Sequence, residues 1–169
     1  MLQLRDLPTT EILNKFAQRY PEADVSAIAT FLHLLRVATD LSFALDECLS
    51  RHGLLQGRWW VLILLMREET KTSTPSVLAD KTGVTRATMT GLLDSLERDG
   101  LLERIFDHSD RRSIAIKLTS QGEAKLDEVM PDYYSRLRES MAGLNEEQRM
   151  LLQEQLKQIN ANIGAFSKE

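Results

Sequence analysis

The chain has 169 residues and a net charge of -4, with 43% hydrophobic residues, 27% charged residues and a single cysteine. That length accommodates one domain with a real core, or a small domain plus an oligomerisation element, and one cysteine excludes an internal disulfide framework. The acidic balance gives no general support for a nucleic-acid partner, so such a surface has to arise from local charge.

Residues 1–24 read as an extension, in which "LPTTEILNKFAQRYPEAD" suggests a short helix and a turn at Pro21. Early acidic residues and the lack of a continuous apolar stretch argue against a signal peptide. No unbroken apolar run reaches bilayer length, the longest being "WWVLILLM", so no membrane association is expected. From Val25 to Ser50, Ile28, Leu32, Leu35, Leu45 and Leu49 recur at helical spacing. "RHGLLQG" interrupts this helix at Gly53. A shorter helix follows, with Trp59, Leu62, Ile63 and Met66 on one face, and 67–73 are polar and turn-like.

The central stretch "TPSVLADKTGVTRATMTGLLDSLERDG" divides into two helices. Thr74 caps the first, Pro75 takes its first position, and Gly83 supplies the turn. Thr85 caps the second, which buries Met89, Leu92, Leu93 and Leu96 and stops at Gly100. Two short helices around a glycine turn are the sequence form of a helix-turn-helix. "LLERIF" and "SIAIKL" follow, the latter alternating Ile114, Ile116 and Leu118 against Ser113, Ala115 and Lys117, which predicts a hairpin, a wing on the helix-turn-helix. A long helix then starts at Thr119 or Ser120 and continues through Pro131 with a kink. Gly143 breaks it, "NEEQ" from Asn145 forms a capping box, and Leu152, Leu156, Ile159, Ile163 and Phe166 make a narrow stripe on the last helix.

The fold expected is mainly α with a small β-hairpin wing: a winged helix-turn-helix reader at 56–119, flanked by dimerisation helices at 25–55 and 120–169. Charge supports a reader. Residues 71–119 hold eight basic and seven acidic side chains, against 13 and 18 in the rest, and no acid occurs from Lys81 to Leu93. A recognition helix enters the major groove with its N-terminal residues, which must be free of carboxylates. Thr85, Arg86, Thr88, Met89 and Thr90 are therefore the candidate DNA contacts, Met89 being the one most suited to the core.

The run "TRATMTGLLDSLERDGLLERIFDHSDRRSIAIKLTSQG" closely resembles the MarR family of winged helix-turn-helix regulators, and "LLQGRWWVLILL" and "GLNEEQRMLLQEQL" extend the likeness over roughly residues 25–165. The resemblance implies a cytoplasmic homodimer on a near-palindromic double-stranded DNA operator, usually as a repressor. It also implies that Arg112 reaches the minor groove and that Asp110 holds it, while Arg111 faces phosphate. An extended cation suits the negative potential of a narrow minor groove.

The resemblance further implies a releasing signal such as a small aromatic acid. His33, Arg36 and Asp40 share a helix face, and Arg58, Trp59 and Trp60 open the next helix, so His33, Arg36, Arg58, Trp59 and Trp60 are the candidate ligand residues. The competing reading makes Trp59 core and the others a solvated face. Cys48 and His52 are four apart, but no second ligand pair accompanies them, so neither a metal nor a cofactor is expected. No phosphate-binding glycine loop or nucleophile–base pair suggests an enzyme. The alternative function is a winged-helix protein-interaction or architectural module without operator specificity.

Overall fold

The computed structural model describes residues 6–106 and 114–167. Seven helices and three strands occur there in the order α1 (Thr10–Arg19), α2 (Val25–Ser50), α3 (Gln56–Met66), β1 (Thr72–Ser73), α4 (Pro75–Thr82), α5 (Arg86–Arg98), β2 (Leu102–Phe106), β3 (Ile114–Leu118), α6 (Ser120–Ser140) and α7 (Glu146–Ala161). A 3₁₀ turn, Ile163–Ser167, follows α7. The chain divides into two compact units after Val129.

The first unit is assembled from local signals that the sequence displays. Thr9 caps α1 and Asp24 caps α2, the latter accepting hydrogen bonds from the Ser26 and Ala27 amides at 2.9 and 3.0 Å. Gly53, at φ 70°, ends the turn after α2. The start of α3 is different, because Leu55 offers no capping side chain. Asp46, ten residues earlier on α2, accepts the Gln56 amide at 2.8 Å instead, and Ser42 donates to the Gln56 side chain at 3.0 Å. An orphan amide of one helix is thus satisfied by its neighbour. Leu49, Leu54, Trp59, Leu62, Leu65, Leu78, Leu93, Leu96, Ile116 and Leu126 form the centre of the core. Cys48 is buried beside them in sequence, at 4% exposure.

The sheet is antiparallel in the order β1-β3-β2. Leu102 pairs with Leu118 and Phe106 with Ile114, which directs Leu102, Ile116 and Leu118 into the core and Lys117 and Glu103 to solvent. The third strand corrects the expectation that 67–73 is only a turn: Thr72 and Ser73 pair with Lys117 and Ile116. A two-residue strand has no period to read.

Two further expectations change. The apolar spacing predicts helix to Phe166, but regular α-helix ends at Ala161. In addition, α2 is long and apolar enough, by length and composition, to cross a membrane. Polar residues divide it into short apolar runs, so no single run reaches bilayer length. Phe31, Leu35, Val37, Leu41 and Phe43 are all exposed on α2.

In the second unit, α6 continues through Pro131 to Ser140, and α7 begins with the expected capping box of Asn145 and Gln148. Tyr134, Leu137 and Met141 face Arg149, Leu152 and Leu156 across a groove of about 700 Å³. No side chain of α7 is buried.

Candidate nucleic-acid interface

The helix-turn-helix is α4, its turn and α5. Thr74 caps α4 and accepts the Val77 amide, Pro75 takes the first helical position, and Gly83 closes the helix with a left-handed φ of 69°. Thr85 caps α5, accepting the Thr88 amide at 3.2 Å. Its hydroxyl also lies 3.0 Å from that of Thr88, and the Thr90 hydroxyl donates back to the Arg86 carbonyl at 3.0 Å. Thr85, Arg86, Thr88 and Thr90 are exposed together at the acid-free end of α5. Met89 is not among them. It is 1% exposed and packs in the core with Leu93 and Leu96, so its candidacy as a DNA contact is corrected. Its place on the helix shares the inward stripe of those leucines, and an apolar thioether gains more from burial than from water.

The acids of α5 are tied to basic side chains from other elements. Arg104 of β2 donates to Asp94 at 2.6 Å and to Glu97. Burial pushes the Arg104 pKa down, but hydrogen bonds and charges from Asp94 and Glu97 more than reverse this and leave it raised. Arg58 of α3 donates to Asp99 at the end of α5. Sequence reasoning missed the Arg104 pairing, since it depends on a strand folding back over a helix. The heptapeptide between β2 and β3, 107–113, lies outside the described residues, and with it the expected roles of Asp110, Arg111 and Arg112.

The candidate ligand residues are not gathered into one site. Trp59 is 1% exposed and belongs to the core, and Arg58 is engaged with Asp99, so neither supports the expected ligand contact. Arg36 pairs with Asp40 at 2.6 Å, and His33 Nδ1 lies 2.8 Å from the Ala29 carbonyl. Ser42 and Asp46 of α2 hydrogen-bond to Gln56 at the start of α3, and Arg36 lies about 9 Å along the helix from Ser42, at 1.5 Å per residue. Trp60 is 40% exposed. Among the described residues no group of three or more His, Cys, Asp or Glu is arranged to hold a metal ion.

A MarR family model matches residues 52–113. The HTH-type transcriptional repressor YetL of Bacillus subtilis is 28% identical over 165 residues, 98% of this chain and 99% of that protein. The HTH-type transcriptional regulator PapX of Escherichia coli is 30% identical over 118 residues, 67% of this chain and 71% of that protein. The chain belongs to the MarR family. Its fold is that of a MarR regulator from Streptomyces coelicolor whose crystal structure was determined in complex with DNA, with a TM-score of 0.75 at 24% identity over 83% of this chain and 89% of that one. The MarR match covers α3 to β2 together with 107–113, the stretch in which the exposed face of α5 and its tethering arginines occur.

Proposed function

We propose that the chain is a sequence-specific DNA-binding transcriptional regulator, acting as a repressor in the form of a homodimer on a near-palindromic operator. The observation that carries this reading is the α5 surface: a capped helix whose exposed N-terminal half offers Thr85, Arg86, Thr88 and Thr90 and no carboxylate. Such an end is suited to phosphate and base edges. In the same reading 56–119 is the reader, 25–55 and 120–169 form the dimerisation region, and 1–24 extends it. Arg112 enters the minor groove, Asp110 orients it, and Arg111 meets phosphate. The relatives named above are regulators rather than enzymes, and the proposed site of action is cytoplasmic DNA.

The exposed apolar side chains of α2 and the groove between α6 and α7 support a second copy of the chain as their cover. Lipid is a poorer cover for α2, because Asp46 and Ser42 on that helix are committed to α3 within the folded unit. A small aromatic acid is the proposed releasing signal. The exposed indole of Trp60 favours it, and titration of salicylate-like compounds followed by tryptophan fluorescence and operator release tests it.

Selection from random DNA with the purified chain, followed by footprinting, tests the main reading. The expected site has two related halves about one helical turn, or 10 base pairs, apart. Failure to enrich any sequence overturns the reading, and a site without dyad symmetry removes the dimeric part.

A further inference from the structure

On an α-helix each residue advances by about 100°. Met89, Leu93 and Leu96 therefore form one narrow buried stripe on α5. Leu92, half-buried beside the stripe, packs against Gly57 of α3, and the ion pairs add a polar restraint on roll towards the C-terminal end of the helix. Asp94 and Glu97 fall on one flank of the stripe and Asp99 on the other. The two flanks are gripped from opposite sides, by Arg104 of β2 and by Arg58 of α3. Both arginine side chains are largely buried, at 19% and 18% exposure, while the carboxylates are 38–51% exposed. Long cations reaching from the packed scaffold to acids on a surface helix form a restraint on that helix.

We propose that Arg104 and Arg58 are positioning residues that lock the roll and tilt of α5, so that its acid-free end is presented in one fixed orientation. This rests on the reading of α5 as the DNA-reading helix. The attachment points lie 8–13 residues from Arg86, so a tilt of about 5° at that end displaces the other by roughly 1 Å over about 15 Å of helix. Hydrogen bonds to base edges tolerate a spread of only about 0.5 Å, whereas contact with the charged backbone tolerates much more. Loss of the restraint therefore erodes discrimination between sequences before it erodes general affinity.

The charge effect of the same residues has the opposite sign, which makes the proposal testable. Removing carboxylates from α5 brings the protein closer to phosphate electrostatically. If the arginines served only to mask those acids, Asp94→Asn/Glu97→Gln would tighten binding to all DNA and leave selectivity unchanged. The restraint predicts that selectivity falls.

Fluorescence anisotropy with the selected operator and with a shuffled duplex of equal length gives the ratio of specific to non-specific affinity. The parent is compared with Asp94→Asn/Glu97→Gln, Asp99→Asn, Arg104→Gln and Arg104→Lys. Circular dichroism melting identifies the variants that are folded at the assay temperature. The expected result is a fall of about tenfold in the ratio for the double variant and for Arg104→Gln, with shuffled-DNA binding by the double variant equal to or tighter than the parent's. Arg104→Lys, which keeps the charge but reaches one carboxylate, recovers part of the ratio. Asp99 is half-exposed and serves as the gentlest variant should the others unfold. Folded acid-neutral variants that keep the parent's ratio overturn the inference while the DNA-reading function stands. A parent that discriminates between no sequences overturns that function and the inference with it.

Discussion

Gly91 sits in the exposed middle of α5, and a Cβ placed there meets nothing within 4 Å. Glycine inside a helix costs about 0.5–1 kcal/mol relative to alanine. Its position opposite the Met89–Leu93–Leu96 stripe places bare backbone at the centre of the proposed DNA face. Gly91→Ala is expected to raise Tm by about 2–4 °C and to lower operator affinity several-fold. A variant that is more stable and binds as well as the parent would show that this face does not approach DNA closely. Individual roles in this region were legible in the sequence where they depend on near neighbours. Thr74, Thr85 and Asn145 cap as their spacing predicts. Met89 was legible as core from its place on the leucine stripe, whereas the engagement of Arg58 was not, because its partner Asp99 comes from an element distant in the chain.

Helix termini govern how the elements meet. Gly122, in the first turn of α6, lies so close to the entry of β2 that a Cβ would stand 2.1 Å from the Leu101 carbonyl oxygen and 2.6 Å from the Leu118 side chain. The obstacle is backbone, so Gly122→Ala is expected to cost at least about 1–3 kcal/mol, measurable by denaturant unfolding. An unchanged midpoint would refute the close approach. The cap of α2 adds a pH dependence. The hydrogen bond from the Ala27 amide, then that from the Ser26 hydroxyl, holds the Asp24 carboxyl below its ordinary value of 3.8. The folded state thus favours the carboxylate, so this stabilisation is complete above the unfolded value and disappears as pH falls through the folded one. Asp24→Asn keeps a capping oxygen without the titration. Its thermal stability, followed from pH 6 to pH 2, is expected to lack one increment of the parent's acid loss; identical curves would contradict the assignment. At this scale the sequence conveyed nearly every helix, since each has a period and most have a capping side chain, α3 being the exception. It did not convey β1, which exists only because β3 runs beside it.

For the whole molecule, the exposed apolar area has to be covered. Leu156 lines the groove between α6 and α7 and is 39% exposed. Leu156→Lys is expected to shift the sedimenting species from dimer to monomer at micromolar concentration and to reduce operator binding at least tenfold, while leaving the helical content of the first unit intact. A variant that still sediments as a dimer would place the interface elsewhere. The terminal stripes that such an interface would use are legible in the sequence, but the surfaces that would cover them are not, because a stripe does not name its partner. The chain also contains its own clock. Its one thiol, Cys48, is 4% exposed at the base of α2, next to the fully buried Leu49. A reagent that modifies thiols can reach it only when that region opens, so the labelling rate reports the opening equilibrium directly. Any partner that binds only the closed form, whether operator or second subunit, should slow labelling in proportion to its occupancy. Saturating operator that left the rate untouched would mean that this end of α2 opens independently of the reader.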